Sequence, residues 1–134
     1  MRVRLVSSIV AGLAAMRVLV FRVRAKLRRA RSRRPEARGL RLLRAWLSAE
    51  QRSQFDSRRC FEVIGCDSGK RYRIHYGVAT NIHELDANGD SRRGWCFAPE
   101  GYLVPGDVML AQKIALETNE RQALTVANSL PVRR

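Results

Sequence analysis

Charge is distributed so unevenly along this chain that it has to fold as two different objects. Residues 1–47 hold fourteen Lys and Arg against one acid, Glu36, a net of +13, whereas residues 48–134 hold twelve bases and eleven acids. Like charges at that density repel, so the first third cannot collapse around a core of its own and must be an arm. The rest is almost neutral, and with 46% hydrophobic residues in the chain it can close one modest domain. That balance excludes a wholly disordered chain, and the length of 134 residues excludes a two-domain enzyme of ordinary size.

In the arm, Val6, Ile9, Leu13, Met16, Val20, Val23, Leu27 and Ala30 fall at alternating spacings of three and four, which predicts a long helix with a heptad seam. Arg17, Arg24, Arg31 and Arg38 recur every seven residues beside that seam, and Pro35 is expected to stop the helix. Val10, Ala14, Val18, Leu19 and Phe21 make its first half apolar nearly all round, and from Arg22 it turns strongly basic. The uncharged run 5–16 is 12 residues long, short of the roughly 18–20 that span a bilayer, and Arg17 interrupts its extension to Phe21. The opening Met-Arg-Val-Arg, with small residues near Ala11 to Ala15, resembles a secretory signal. The Arg block behind it disfavours export, and Met16 could itself begin a chain.

Arg17, Arg22, Arg24, Lys26, Arg28, Arg29, Arg31, Arg33 and Arg34 form a nine-base set with no acid among them. They are the candidate polyanion-binding residues, for nucleic-acid phosphates first and anionic lipid headgroups second. Charge alone reads no base sequence, and a solvated basic linker is the plain alternative. Residues 5–21 supply the membrane alternative, a peripheral or anchored helix at the inner face.

The remainder predicts an α+β domain. Leu40, Leu43 and Leu47 lie on one face of a short helix over 38–47, and Ser48 with Gln51 matches a capping box that starts a second, 49–55. Period-two patterns and turn residues place four strands at 60–65, 71–76, 81–86 and 94–98, with Asp67-Ser68-Gly69 and Asn88-Gly89 as turns. Asp107 can cap a helix from Val108 with Leu110, Ala111, Ile114 and Ala115 on one face and Met109 and Leu116 on the other. It either contacts two elements or breaks near Thr118-Asn119, with 119–128 continuing as a second segment. The expected fold is a four-stranded antiparallel meander packed by a C-terminal helix, preceded by short helices and the long basic one. Its parts are an arm at 1–37, docking helices at 38–57, the compact domain at 58–130 and a tail at 131–134. The expected core is Phe61, Val63, Tyr72, Ile74, Tyr76, Ile82, Trp95, Phe97, Leu110, Ile114 and Leu124.

Residues 43–128 resemble a family of short, uncharacterised bacterial proteins. The likeness is carried by Leu47-Ser48-Ala49-Glu50-Gln51, Phe61-Glu62-Val63, Ser68-Gly69-Lys70-Arg71-Tyr72-Arg73-Ile74, Asn81-Ile82, Trp95-Cys96-Phe97-Ala98-Pro99 and Gly106-Asp107-Val108-Met109-Leu110-Ala111-Gln112-Lys113. The resemblance implies a shared domain and no activity, and the basic arm lies outside it.

Within the domain, Lys70 to Tyr76 interleaves bases with aromatics, as nucleic-acid-binding sheet faces do. Period-two alternation instead separates the tyrosines from the bases, leaving Arg71, Arg73 and His75, extended by Arg92 and Arg93, as a secondary basic patch. Cys60, Cys66, Cys96, His75 and His83 offer zinc ligands but lack the short paired spacing of a structural site, so no metal is expected. Three cysteines suit a reducing cytosol. Gly65 to Lys70 is one residue short of a phosphate loop, and Asp86 to Asp90 opens like a calcium loop with Phe97 where the closing Glu belongs. Both read as turns. No motif joins acid, base and cleft, so no catalytic residue and no cofactor is assigned. An enzyme would need an unrecognised site around His75, His83 and Cys96. The expectation is a small cytoplasmic binding or adaptor protein, with nucleic acid or the inner membrane face on the arm and a protein partner on the domain.

Overall fold

A computed structural model describes the backbone of residues 3–131 and the side chains of 20–30 and 33–131. The chain divides into two compact units, Met1–Pro35 and Glu36–Arg134. Helix α1 (Val3–Trp46) carries Pro35 inside it, so the expected stop at Pro35 is corrected. Proline forfeits one backbone hydrogen bond and crowds the preceding turn, but the Arg, Ala and Leu around it are strong helix formers that sustain the segment on either side.

In the second unit, residues 36–46 are the last turns of α1. Helix α2 (Ala49–Arg58) follows, with the capping box in place: Gln51 N–H donates to Ser48 Oγ at 3.2 Å and Ser48 N–H to Gln51 Oε1 at 3.1 Å. Strands β1 (Cys60–Ile64), β2 (Arg71–His75), β3 (Ile82–Leu85) and β4 (Ser91–Cys96) run as a meander, then helix α3 (Pro105–Val126) leads to strand β5 (Asn128–Pro131). The sheet is antiparallel throughout, in the order β1-β2-β3-β4-β5. The α+β class and C-terminal helix hold, but there are five strands, not four.

β5 replaces what the sequence reading divided between a helical continuation and a tail. Its four residues are all exposed and only Leu130 is a large aliphatic, so no alternation announces it. Pairing with β4, opposite residues 93–96, makes it a strand. β4 starts three residues earlier than expected because a bulge sits beside it: Glu84 faces Arg93 but Leu85 faces Ser91, leaving Arg92 unmatched. Gly89, at φ +85°, turns the connecting loop.

One sheet face is the core. Phe61, Val63, Tyr72, Ile74 and Ile82 are fully buried on it, joined by Leu43, Leu47 and Phe55 from the helices before the sheet and by Met109, Leu110 and Leu116 from α3. Tyr76, Trp95, Phe97 and Leu124 pack at its margin. Ile114, expected inside, is 40% exposed. The inward stripe of α3 is Met109, Gln112, Leu116, Glu120 and Ala123, a helical spacing in which two polar residues occupy apolar-looking positions. Hydrophobicity alone therefore selects the wrong side of that helix. The break expected near Thr118-Asn119 is present, since Asn119 leaves helical geometry at φ −155° and ψ 49°.

Two devices hold these layers. At the start of α3, Gly106 lies so close to α1 that a Cβ there would fall 2.3 Å from the Gly39 carbonyl carbon and 2.5 Å from the Leu40 nitrogen. Along β1, an edge strand, Glu62 N–H donates to Gln54 Oε1 at 2.9 Å and Glu62 C=O accepts from Gln51 Nε2 at 2.8 Å. The two glutamine amides thus occupy hydrogen-bonding groups that an open edge would offer to another chain.

Candidate functional site

In the first unit, every described base of the nine-residue set is exposed: Arg22, Arg24, Lys26, Arg28, Arg29, Arg33 and Arg34. The side chains of Arg17 and Arg31 lie outside the described residues. At 100° per residue, Arg22, Lys26, Arg29 and Arg33 form one stripe, and Arg24 with Arg28 forms another on the far side. Between them runs an apolar seam of Val20, Val23 and Leu27, 44%, 47% and 63% exposed, and Phe21 is 75% exposed. Among the described residues no salt bridge involves these bases. No helix among the described residues is long and apolar enough to cross a membrane.

The secondary basic patch does not assemble as expected. Arg71 and Arg73 share a sheet face, but both donate to Glu62, at 2.7 and 2.8 Å. Burial opposes ionisation of Glu62, yet the hydrogen bonds and charges of the two arginines outweigh it and hold the carboxyl below its ordinary range. His75 stacks at a tilt on His83, ring centroids 4.8 Å apart, and His83 Nδ1 lies 3.0 Å from Ser91 Oγ. Burial lowers the pKa of both imidazoles, reinforced at His75 by His83 and at both by Arg73. Arg93 faces the other way, opposite Glu84 in register and over the Trp95 ring at 5.6 Å. The bulge leaves Arg92 exposed and unmatched. Glu84 is buried enough to resist ionisation, but bonds from Lys70 at 2.9 Å and from Trp95 Nε1 at 3.2 Å keep it ionised.

A site that the sequence reading missed lies where the β1–β2 turn meets the break in α3. Glu120 is 2% exposed, and its carboxylate accepts from Tyr72 OH at 2.6 Å, from the N–H groups of Asp67 and Ser68 at 2.8 Å each, and from Ser68 Oγ. Burial raises its pKa, but these donors outweigh that and hold it below the ordinary range. Burial first, and then the neighbouring Glu120 carboxylate, push the Tyr72 hydroxyl well above its usual pKa. Asp67 Oδ2 accepts from Arg121 N–H at 2.8 Å and Cys66 Sγ from Glu120 N–H at 3.4 Å, so the turn caps the helical segment that restarts after Asn119. Gly65 makes room, since a Cβ there would meet the Glu120 carboxyl at 2.3 Å.

Cys66, Asp67 and Glu120 bring a thiol and two carboxylates within 4.8 Å of one another, the one group with ligand spacing among the described residues. Four donors already fill the Glu120 oxygens, which makes the cluster a clasp. Cys60 is buried and Cys96 half-buried, and neither joins the histidines in such a group. The phosphate-loop look-alike is the β1–β2 turn, closed by Gly69 N–H to Gly65 C=O at 3.0 Å. In the calcium-loop look-alike, Asp86 Oδ1 accepts from the N–H groups of Asn88 and Asp90 at 2.9 and 3.0 Å. A cleft of about 540 Å³ runs along β1 between Ser48, Gln51, Gln54, Glu62, Arg71 and Glu117. Two of its carboxylates are engaged, Glu62 by the two arginines and Glu117 by Lys113 at 2.5 Å, and the third, Glu50, meets only the Gln54 amide at 3.5 Å.

Set against known proteins, the chain matches no family model, no curated protein and no solved structure. Function therefore has to be argued from the two units themselves.

Proposed function

We propose that the chain is a small binding protein whose Arg-rich helix, residues 17–34, holds a polyanion, nucleic acid foremost, while the folded body makes protein contacts. The observation that carries this reading is the set of seven exposed bases on one helix, six of them on opposite stripes, with no acid among them. Bases on two sides meet phosphates on both walls of a groove, whereas a flat bilayer meets one face. Exposed Val20, Phe21, Val23 and Leu27 favour a second reading, attachment to an anionic bilayer at the cytoplasmic face. Neither reading includes a catalytic step.

The test compares the full chain with an Arg22→Gln/Lys26→Gln/Arg29→Gln/Arg33→Gln variant, on duplex DNA, RNA, and anionic and neutral vesicles across a salt series. The slope of log affinity against log salt is expected to shrink by about 0.9 for each lost phosphate contact on duplex DNA. Undiminished nucleic-acid affinity in the variant would sink the first reading. Vesicle retention in roughly 1 M salt, where charges more than about 3 Å apart are screened, would establish apolar insertion and the second.

A further inference from the structure

We propose that the body carries a stacking platform for an unpaired nucleic-acid base, built from Trp46 at the end of α1 with Arg38 and Arg41 beside it, and that the chain therefore favours single strands over duplexes. This rests on the function proposed above in taking the polyanion as nucleic acid. The platform itself lies in the second unit and uses none of the nine arm bases.

The last turns of α1 bury Gly39 and Leu43 on one side. At 100° per residue, the side away from them presents Arg41, Ala45, Arg38, Leu42 and Trp46 within about 140°. Trp46 is 59% exposed, although indole is among the side chains with most apolar surface to bury. Arg38 and Arg41 are exposed as well. Glu36, the one acid of residues 1–47, accepts from the Tyr76 hydroxyl instead. The outer face of these turns is thus aromatic and cationic, with no acid of α1 on it.

The two tryptophans of the chain are in opposite situations. Trp95 donates through Nε1 to Glu84 and has the Arg93 guanidinium 5.6 Å from its ring. Among the described residues no guanidinium and no aromatic ring lies over Trp46, so its π-face is free. A lone exposed apolar side chain needs no ligand to explain it. A free indole between unopposed guanidiniums has the chemistry of a single-strand site, where a base stacks on the ring and cations take the flanking phosphates. Arg41 stands five residues before Trp46, about 7.5 Å along the axis, close enough for its long side chain to reach the backbone of a base on the indole. A duplex keeps its bases stacked on each other and would have to extrude one to use the platform. A bilayer-facing stripe is typically wider in apolar residues, whereas this face has two large ones, Leu42 and Trp46. The charge of the arm holds either form of nucleic acid, and the platform tells them apart.

The test measures binding of the full chain to an oligothymidine of about 12 nucleotides and to a duplex of about the same length, by anisotropy of the labelled nucleic acid and by tryptophan emission. Oligothymidine is expected to quench the emission and the duplex to leave it unchanged. Trp46→Leu alters no charge and keeps an apolar side chain at an exposed position. It should lower oligothymidine affinity about tenfold, remove the quenching and leave duplex affinity as it was. Trp46→Phe retains a ring and should recover most of the loss. Unchanged oligothymidine affinity in Trp46→Leu would overturn the platform, and so would equal losses on the two forms. Release of Trp46→Leu from anionic vesicles with oligothymidine affinity intact would assign the face to lipid and overturn it too. The fourfold Arg22, Lys26, Arg29 and Arg33 variant keeps the two ideas distinct. If it binds both forms as the parent does, the arm reading fails, and quenching by oligothymidine still decides the platform.

Discussion

The body and the basic helix treat charge in opposite ways. In the body, Glu62 holds two arginines, Glu84 a lysine and a tryptophan, Glu117 a buried lysine, and Glu120 a ring of hydroxyl and amide donors. The first 35 residues carry eleven bases and no acid to hold them. Charge that is matched inside the fold becomes structure: Glu62 and Glu84 tie neighbouring strands, and Glu120 fixes the β1–β2 turn. Unmatched charge has to be answered from outside the unit. Substitutions at the matched groups of the body should therefore change stability and leave polyanion affinity alone, and those in the arm should do the reverse.

The largest break on the body side is Gly106→Ala. Its Cβ would sit within 2.6 Å of three backbone atoms of Gly39 and Leu40, and backbone cannot step aside as a side-chain tip can. The expected loss is about 3 kcal/mol or more, read as a shift in the denaturant midpoint, with DNA affinity of the folded protein unchanged. An unshifted midpoint would refute the close approach of the two helices.

Glu120→Gln comes next, at about 2–4 kcal/mol, because an amide cannot accept from all four donors and places N–H groups against some of them. Tyr72→Phe removes one of those donors and should cost about 1 kcal/mol. If the two variants proved equally mild, Glu120 would not be the centre of the clasp.

The pH dependence separates the units further. His75 and His83 are held below the usual histidine range of about 6.5, so the native state resists protons that the unfolded chain accepts. The stability they contribute is present above about 6.5 and is lost as pH falls through that value toward their depressed native values. Glu62, Glu84 and Glu120, all lowered from 4.5, add a second decline below about 4.5 by the same logic. Melting temperature against pH should show both steps, and His75→Gln/His83→Gln should flatten the first. A first step that survives this double substitution would belong to other groups.

How far these features were legible depends on whether their signal was local. The capping box at Ser48 and Gln51, the alternation that separates Tyr72 and Ile74 from Arg71 and Arg73, and the glycine turns are written in neighbouring residues, and sequence reading located them. β5 was not, because its residues lack strand character and the β4 edge supplies its hydrogen bonds. Glu120 carries no local signal, because its partners are Ser68 and Tyr72, 52 and 48 residues away in the chain. A helix with Gln112 and Glu120 on its apolar stripe was the one available hint. The basic patch failed for a related reason, since Glu62 and a one-residue bulge decide which arginines are free and which way they face.

The smallest effect expected is at Arg44 and Asp56, where the comparison between matched and unmatched charge should nearly vanish. The guanidinium meets the carboxylate through both nitrogens, one of the contacts at 2.9 Å, as a bidentate pair. Both side chains are nevertheless 45% exposed, so water competes for the same groups and salt screens what remains. Asp56→Asn should lower stability by less than about 0.5 kcal/mol, and that difference should fade as salt rises. A loss approaching that of Glu120→Gln would mean that ion pairing as such, rather than burial with a full set of donors, holds the body together. The contrast between the two units would then rest on the number of acids and not on where they lie.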